Sequence, residues 1–185
     1  SQGKASRSPR KSSCGVWALT NGDEDGPRKL VVEVSHGLGN RMRAYATAQA
    51  LSKRTGRKLE LVWPPDVHLQ AGFSDLFEET AVAWHSKSFL ECARESPAFV
   101  VYDYLENPVD WRDRKPIDDH LEQHLYVRTA YKVKGVTDYE LVEISRALWA
   151  LKPKQSVLIL KTSIEDQLAS EMGAKISDTV GVHIR

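Results

Sequence analysis

Between residues 30 and 63 the spacing of apolar residues changes from strand-like to helical and back to strand-like. Leu30–Val34 (LVVEV) is short and rich in β-branched residues, which is typical of a buried strand. From Asn40 the apolar residues recur at helical spacing until Gly56, which follows basic residues and marks a helix end. Leu59–Trp63 is again a strand pattern. Strand, helix and strand in this order predict a βαβ unit with parallel strands and a right-handed crossover.

The rest of the chain alternates between strand and helix patterns. Interleaved strands and helices predict an α/β fold with a Rossmann-like, open and mainly parallel sheet. Thr137 begins the spacing of a capping box, and Pro153 suits the first position of a helix. The predicted elements are a helical turn over Phe73–Phe77, strands over Phe99–Leu105 and His124–Tyr131, helices over Thr137–Leu148 and from Pro153 to about Met172, and a strand over Thr179–Arg185.

Composition divides the chain into an arm and a domain. Residues 1–28 are rich in small, polar and charged residues and are predicted to form a disordered arm, with the Rossmann-like domain over residues 29–185. The formal net charge of +1 argues against a general nucleic-acid binder. No apolar stretch reaches the roughly 20 residues of a membrane span. The two cysteines, Cys14 and Cys92, show no metal or disulfide pattern.

The glycine loop Gly37–Arg41 is the first candidate site. In a βαβ unit it lies at the carboxyl end of the first strand, where open α/β sheets bind ligands. Glycines let a ligand approach the backbone, and the N–H groups of the following helix attract anions. A dinucleotide fingerprint is absent, because Met42 stands near its third glycine and Trp63 where its acidic residue belongs. A purely structural tight turn is an equal alternative.

Two arginines, Arg41 and Arg43, stand where this helix begins. Cations at a helix amino end cost about 0.3–1 kcal/mol each, so their presence suggests a nearby anion. The alternative is that both side chains point away and pair with surface carboxylates.

The end of the chain supplies the second candidate site. Strand alternation places His183 and Arg185 on one face, where a guanidinium can hold a diphosphate through paired hydrogen bonds. Taken alone, such a pair is more often structural or solvated.

The two sites occur in an order that resembles a known superfamily. Gly37–Arg41, its helix, the stretch Thr55–Trp63 and the strand Gly181–Arg185 (GVHIR) are similar to the fucosyltransferases that include the α-1,6, protein O-fucosyl and bacterial nodulation enzymes. The match by motif covers about residues 30–63 and 179–185, and it is looser over Trp63–Asp66 and Phe73–Phe77.

The resemblance implies the amino-terminal domain of a GT-B type glycosyltransferase, in which two Rossmann-like domains face each other. It implies inverting, metal-independent transfer of fucose from GDP-fucose to a hydroxyl of a glycan or protein, with no cofactor besides this donor substrate. Arg185 is the predicted catalytic residue, contacting the donor diphosphate. The residues expected to bind the donor or line the cleft are Gly37, Gly39, Asn40, Arg41, His183 and Arg185.

The family continues beyond this motif with most of the nucleotide-binding domain, so the chain is expected to be the amino-terminal half of a longer enzyme and inactive alone. The alternative is a non-catalytic Rossmann-like module that binds a nucleotide or glycan. The predicted partners are a sugar nucleotide and a glycan or protein acceptor. The compartment stays open: the Golgi or endoplasmic reticulum lumen in a eukaryote, the cytoplasm in a bacterium.

Overall fold

A computed structural model of the chain describes residues 26–78, 82–106, 123–131 and 151–172, together with Ile117, Val133 and Leu148. Several predictions lie outside these residues. They are the arm before Gly26, the helix from Thr137 except Leu148, and the strand Thr179–Arg185, with both His183 and Arg185.

The described elements follow the predicted alternation. They are β1 Lys29–Val34, α1 Leu38–Thr55, β2 Lys58–Val62, α2 Phe73–Leu76, β3 Ala83–His85, α3 Leu90–Glu95, β4 Phe99–Asp103, β5 His124–Thr129 and α4 Gln155–Met172. The helix predicted from Pro153 begins at Gln155 instead, because Pro153 pairs with Phe77 in an isolated antiparallel bridge. The short elements β3 and α3 were not predicted.

The five described strands form one sheet in the order β3-β2-β1-β5-β4, with every pair parallel. This confirms the α/β class and the parallel sheet. β1 is central: the chain moves from β1 outward to β3 on one side, and β5 lies between β1 and β4 on the other. The direction of winding therefore changes between β1 and β5, which is the point where open α/β sheets bind ligands.

Helices cover both faces of the sheet. On one face, Leu30 and Val32 of β1 pack with Ala44, Ala48 and Leu51 of α1. On the other face, the side chain of Val31 joins Leu90 and Ala93 of α3 in a second cluster. Covering both faces explains why β1 reads as a nearly continuous apolar run.

The segment after β2 is held by aromatic packing. Trp63 is fully buried and meets Phe73 and Phe77 edge-on, at centroid distances of 5.4 and 6.3 Å. This confirms the predicted helical turn and fixes the chain that leaves the carboxyl end of β2. No helix in the described ranges is long and apolar enough to cross a membrane.

Candidate functional site

The candidate site lies at the carboxyl ends of β1 and β5. His36 follows β1 and Tyr131 follows β5, and their ring centroids are 6.4 Å apart across the point where the winding changes. The glycine loop begins directly after His36 and leads into α1. The loop predicted from sequence therefore lies at the edge where open α/β sheets generally bind ligands.

The glycines of this loop leave open space above the backbone. Gly37 is the N-cap of α1 with φ −65° and ψ 162°, a conformation open to other residues, and no side chain caps the helix. Within the described structure, a Cβ placed at Gly37 would meet no heavy atom within 4 Å, and one at Gly39 would meet only Nη2 of Arg43 at 3.8 Å. Neither backbone strain nor packing requires these glycines; glycine suits the N-cap position of Gly37, and both positions leave the backbone open to close approach.

Arg41 points into the protein rather than toward the loop surface. Its side chain is fully buried and donates from Nε to the carbonyl of His36 (2.7 Å) and from Nη1 to that of Pro64 (2.8 Å). Nη2 lies 2.8 Å from a carboxylate oxygen of Asp66, and the guanidinium carbon lies 5.0 Å from the Trp63 ring centroid. Burial lowers the pKa of Arg41, and Asp66 opposes this shift. Arg41 therefore connects the loop after β1 with the segment after β2.

Arg43 and Asn40 occupy the outer side of the same helical turn. The exposed guanidinium of Arg43 donates to the side-chain oxygen of Asn40 at 3.1 Å. This bond to a neutral amide does not cancel the charge of Arg43. An exposed cation therefore stands beside the glycine loop, on the side opposite the buried Arg41.

Asp66, in the segment that follows β2, holds the loop after β1 through hydrogen bonds. Its carboxylate accepts the backbone N–H groups of His36 (2.8 Å) and His68 (2.8 Å) and the hydroxyl of Ser35 (3.0 Å). Burial alone would raise the pKa of Asp66, but these donors and the charge of Arg41 lower it to about 2. Asp66 is consequently an anion at neutral pH.

His36 is the strained residue of the site. Its φ of 68° is the only positive value of a non-glycine residue in the described ranges. Its ring stacks on that of His68, with centroids 4.8 Å apart and planes 10° from parallel. Its Nδ1 is buried and has no hydrogen-bond partner among the described residues. His36, Asp66, His68 and Tyr131 were not predicted as site residues from the sequence.

A separate network of charged side chains lies on the face of the sheet that α3 covers. The buried carboxylate of Glu33 accepts hydrogen bonds from the hydroxyls of Tyr126 and Ser88 and lies 3.2 Å from Nε of Arg128. Burial, and then the charge of Glu33, raise the pKa of Tyr126. Asp103 pairs with both Arg128 and Arg94. These groups pair with one another, although Nε of Arg128 makes no hydrogen bond within the described part of the chain, and the network connects β1, β4 and β5.

Cys92 departs from the sequence analysis. It is disulfide-bonded, and the described residues contain no free thiol, so the expectation that the cysteines form no disulfide pattern is wrong for Cys92. In the part of the chain that the structure describes, no three His, Cys, Asp or Glu side chains are grouped so that they could hold a metal ion.

Comparisons of this chain with protein-family models, with curated proteins and with solved structures found no match.

Proposed function

We propose that the chain belongs to a GDP-fucose-dependent glycosyltransferase and forms the amino-terminal domain of its GT-B architecture. The observation that carries this proposal is the open glycine loop at the carboxyl edge of β1, where the sheet changes its winding. Donor ligands of Rossmann-like domains bind at such an edge. The motif resemblance supplies the donor identity.

In the proposed reaction the oxygen of an acceptor hydroxyl attacks the anomeric carbon of fucose. The bond from this carbon to the diphosphate oxygen breaks with its electron pair, GDP departs, and the hydroxyl proton passes to a base. Negative charge grows on the diphosphate, so a guanidinium placed there stabilises the transition state more than the ground state. We assign this role to Arg185, which follows His183 by two positions in the sequence.

The described residues contribute to this reaction in two ways. Gly37 and Gly39 give the donor access to the backbone at the start of α1, and Asn40 lies on that edge with the exposed Arg43. Arg41 serves as a positioning residue, because its buried side chain holds the carbonyl of His36 and the carboxylate of Asp66.

A non-catalytic binding module is the second candidate. Its supporting observation is the ion pair of Arg41 with Asp66, which removes one of the two helix-start cations from the surface. With a smaller positive charge at the glycine loop, a neutral glycan fits the described edge as well as a nucleotide does.

The disulfide of Cys92 also bears on the compartment. Disulfides persist in oxidising environments and are rare in the reducing cytosol. We therefore propose an oxidising compartment, which agrees with transfer to a glycan in the secretory pathway.

The test is a transfer assay with GDP-fucose on the full-length protein, comparing wild type, Arg185→Lys and Met42→Leu. Lysine keeps the charge of Arg185 but loses the planar fork, so turnover should fall about 10²–10³-fold, equivalent to about 3–4 kcal/mol. The loss should appear in kcat more than in acceptor KM. Met42→Leu exchanges one apolar side chain of α1 for another and should cost at most about 1.5 kcal/mol of stability, with little effect on transfer. Near-normal turnover of Arg185→Lys would remove the catalytic assignment, and no transfer by wild type would leave the binding module.

A further inference from the structure

We propose that His36, His68 and Tyr131 form a binding platform for a neutral sugar ring of the acceptor, in which the sugar packs on His36 beside Tyr131 and displaces the ring of His68. The name histidine platform is used below for these three residues. The identification of the sugar as the acceptor rests on the proposed function, whereas binding of a sugar ring at the platform rests on the geometry.

Backbone strain at His36 is the first observation. A non-glycine residue with positive φ is unfavourable, and such residues persist where the surroundings enforce them and cluster at functional sites. Here Asp66 accepts the His36 N–H at 2.8 Å, and Arg41 donates to the His36 carbonyl at 2.7 Å. The ion pair of Arg41 with Asp66 therefore holds both ends of the strained residue, whose ring lies next to those of His68 and Tyr131.

The ring contacts of His36 are the second observation. The ring of His36 stacks on that of His68, which is an exposed residue, and its centroid lies 6.4 Å from that of the Tyr131 ring. Aromatic faces are electron-rich and attract the weakly positive C–H groups that cover one side of a hexose. His68 is exposed, and in the proposed complex the sugar ring takes the place of the His68 ring in the stack.

The buried Nδ1 of His36 is the third observation. A buried polar atom without a hydrogen bond is costly, and Nδ1 has no such partner in the described ranges. A sugar hydroxyl both donates and accepts hydrogen bonds, so it satisfies this nitrogen in either tautomer of the ring. Opening of the His68 stack would give a hydroxyl access to it.

Charge favours a neutral ligand over a nucleotide at the platform. Asp66, which is ionised at neutral pH and partly exposed, bonds to the backbone of both His36 and His68. Arg41 balances this carboxylate but adds no excess positive charge. The exposed cation of the region, Arg43, lies on the outer side of α1 beside Asn40. A phosphate is therefore favoured near the glycine loop, and an uncharged ring with hydroxyls at the platform.

The experiment compares His36→Asn with Val67→Ser in the full-length protein. Asparagine accepts positive φ as readily as histidine but has no ring, and Val67 is an 88% exposed residue of the adjacent loop. Binding to an array of purified neutral glycans is measured without donor, and GDP-fucose binding is measured separately by titration calorimetry. Thermal unfolding of each variant checks that the fold is intact.

We expect wild type and Val67→Ser to retain the same neutral glycans, and His36→Asn to bind them at least about tenfold more weakly with unchanged melting temperature. Equal glycan binding by His36→Asn overturns the proposal, and so does the absence of any glycan retained by wild type. Loss of GDP-fucose binding alone in His36→Asn assigns the platform to the donor and also overturns it. Glycan binding that depends on His36, in a protein that does not bind GDP-fucose, supports the platform while refuting the proposed function.

Discussion

The ion pair between Arg41 and Asp66 gives the sharpest test of how the site is built. Asp66→Asn keeps the shape of the side chain but leaves the guanidinium of Arg41, which is fully enclosed, without a counter-charge. Removing one partner of a buried ion pair costs about 3–5 kcal/mol, because the other charge stays desolvated. The Asp66 side chain is 23% exposed, so water can partly enter, and we expect the lower end of this range, about 3 kcal/mol. That is a large share of the 5–15 kcal/mol that stabilises a typical domain.

The assay is urea unfolding followed by circular dichroism on four proteins: wild type, Asp66→Asn, Arg41→Met and the double variant. Arg41→Met should cost less than Asp66→Asn, because the remaining carboxylate still accepts the N–H groups of His36 and His68 and contacts water. The double variant should be more stable than the sum of the single losses predicts, since it leaves no unpaired buried charge. Asp166→Asn, on the exposed face of α4, is the control and should change stability by at most about 0.5 kcal/mol.

Additive losses would refute this reasoning. If the double variant equals the sum of the single variants within about 0.5 kcal/mol, the pair contributes no coupling energy. Arg41 would then be held by its carbonyl contacts alone, and Asp66 would be a loop residue without a positioning role.

Three further predictions follow from other parts of the structure. The hydrogen bond from His85 lowers the pKa of Glu60 against the opposing effect of burial, and Lys29 lowers it further, to about 2 from an ordinary 4.5. The stability that ionised Glu60 contributes is therefore complete above about pH 4.5 and is lost as the pH falls toward 2. Between pH 5 and 2 the melting temperature of Glu60→Gln should fall less steeply than that of wild type. Equal slopes for the two proteins would contradict this. Gly37→Ala should change stability by at most about 1 kcal/mol, because alanine fits φ −65° but is a poorer N-cap than glycine, and it should weaken GDP-fucose binding in calorimetry. Unchanged donor affinity in Gly37→Ala would argue against ligand contact there. Gly56→Ala, at φ 67°, should destabilise by about 1–2 kcal/mol. Peptide mapping by mass spectrometry without reductant should recover the Cys92 peptide in a disulfide linkage, which reductant then releases. Alkylation of the Cys92 peptide before reduction would show a free thiol and remove the argument for an oxidising compartment.

Local sequence determined the elements that surround the site. The β-branched run of β1, the helical period of α1 and Gly56 at φ 67° are each decided within a few residues, so the βαβ unit and its loop were predicted correctly. Local pattern failed for β3, because three residues are too few to show a period, and for the start of α4, because Pro153 pairs with a residue far away in sequence.

Tertiary structure alone decided what the site contains. The helical period places Arg41 and Arg43 on opposite sides of α1, but only the tertiary structure supplies Asp66 as the partner of the inward-facing Arg41. His36 meets Tyr131 because β5 is inserted beside β1, a strand order that depends on contacts between distant residues rather than on local periodicity. A residue's neighbours along the chain set its secondary structure, whereas the partners of a buried charge or a strained ring come from other strands. For this reason the glycine loop was predictable and the histidine platform was not.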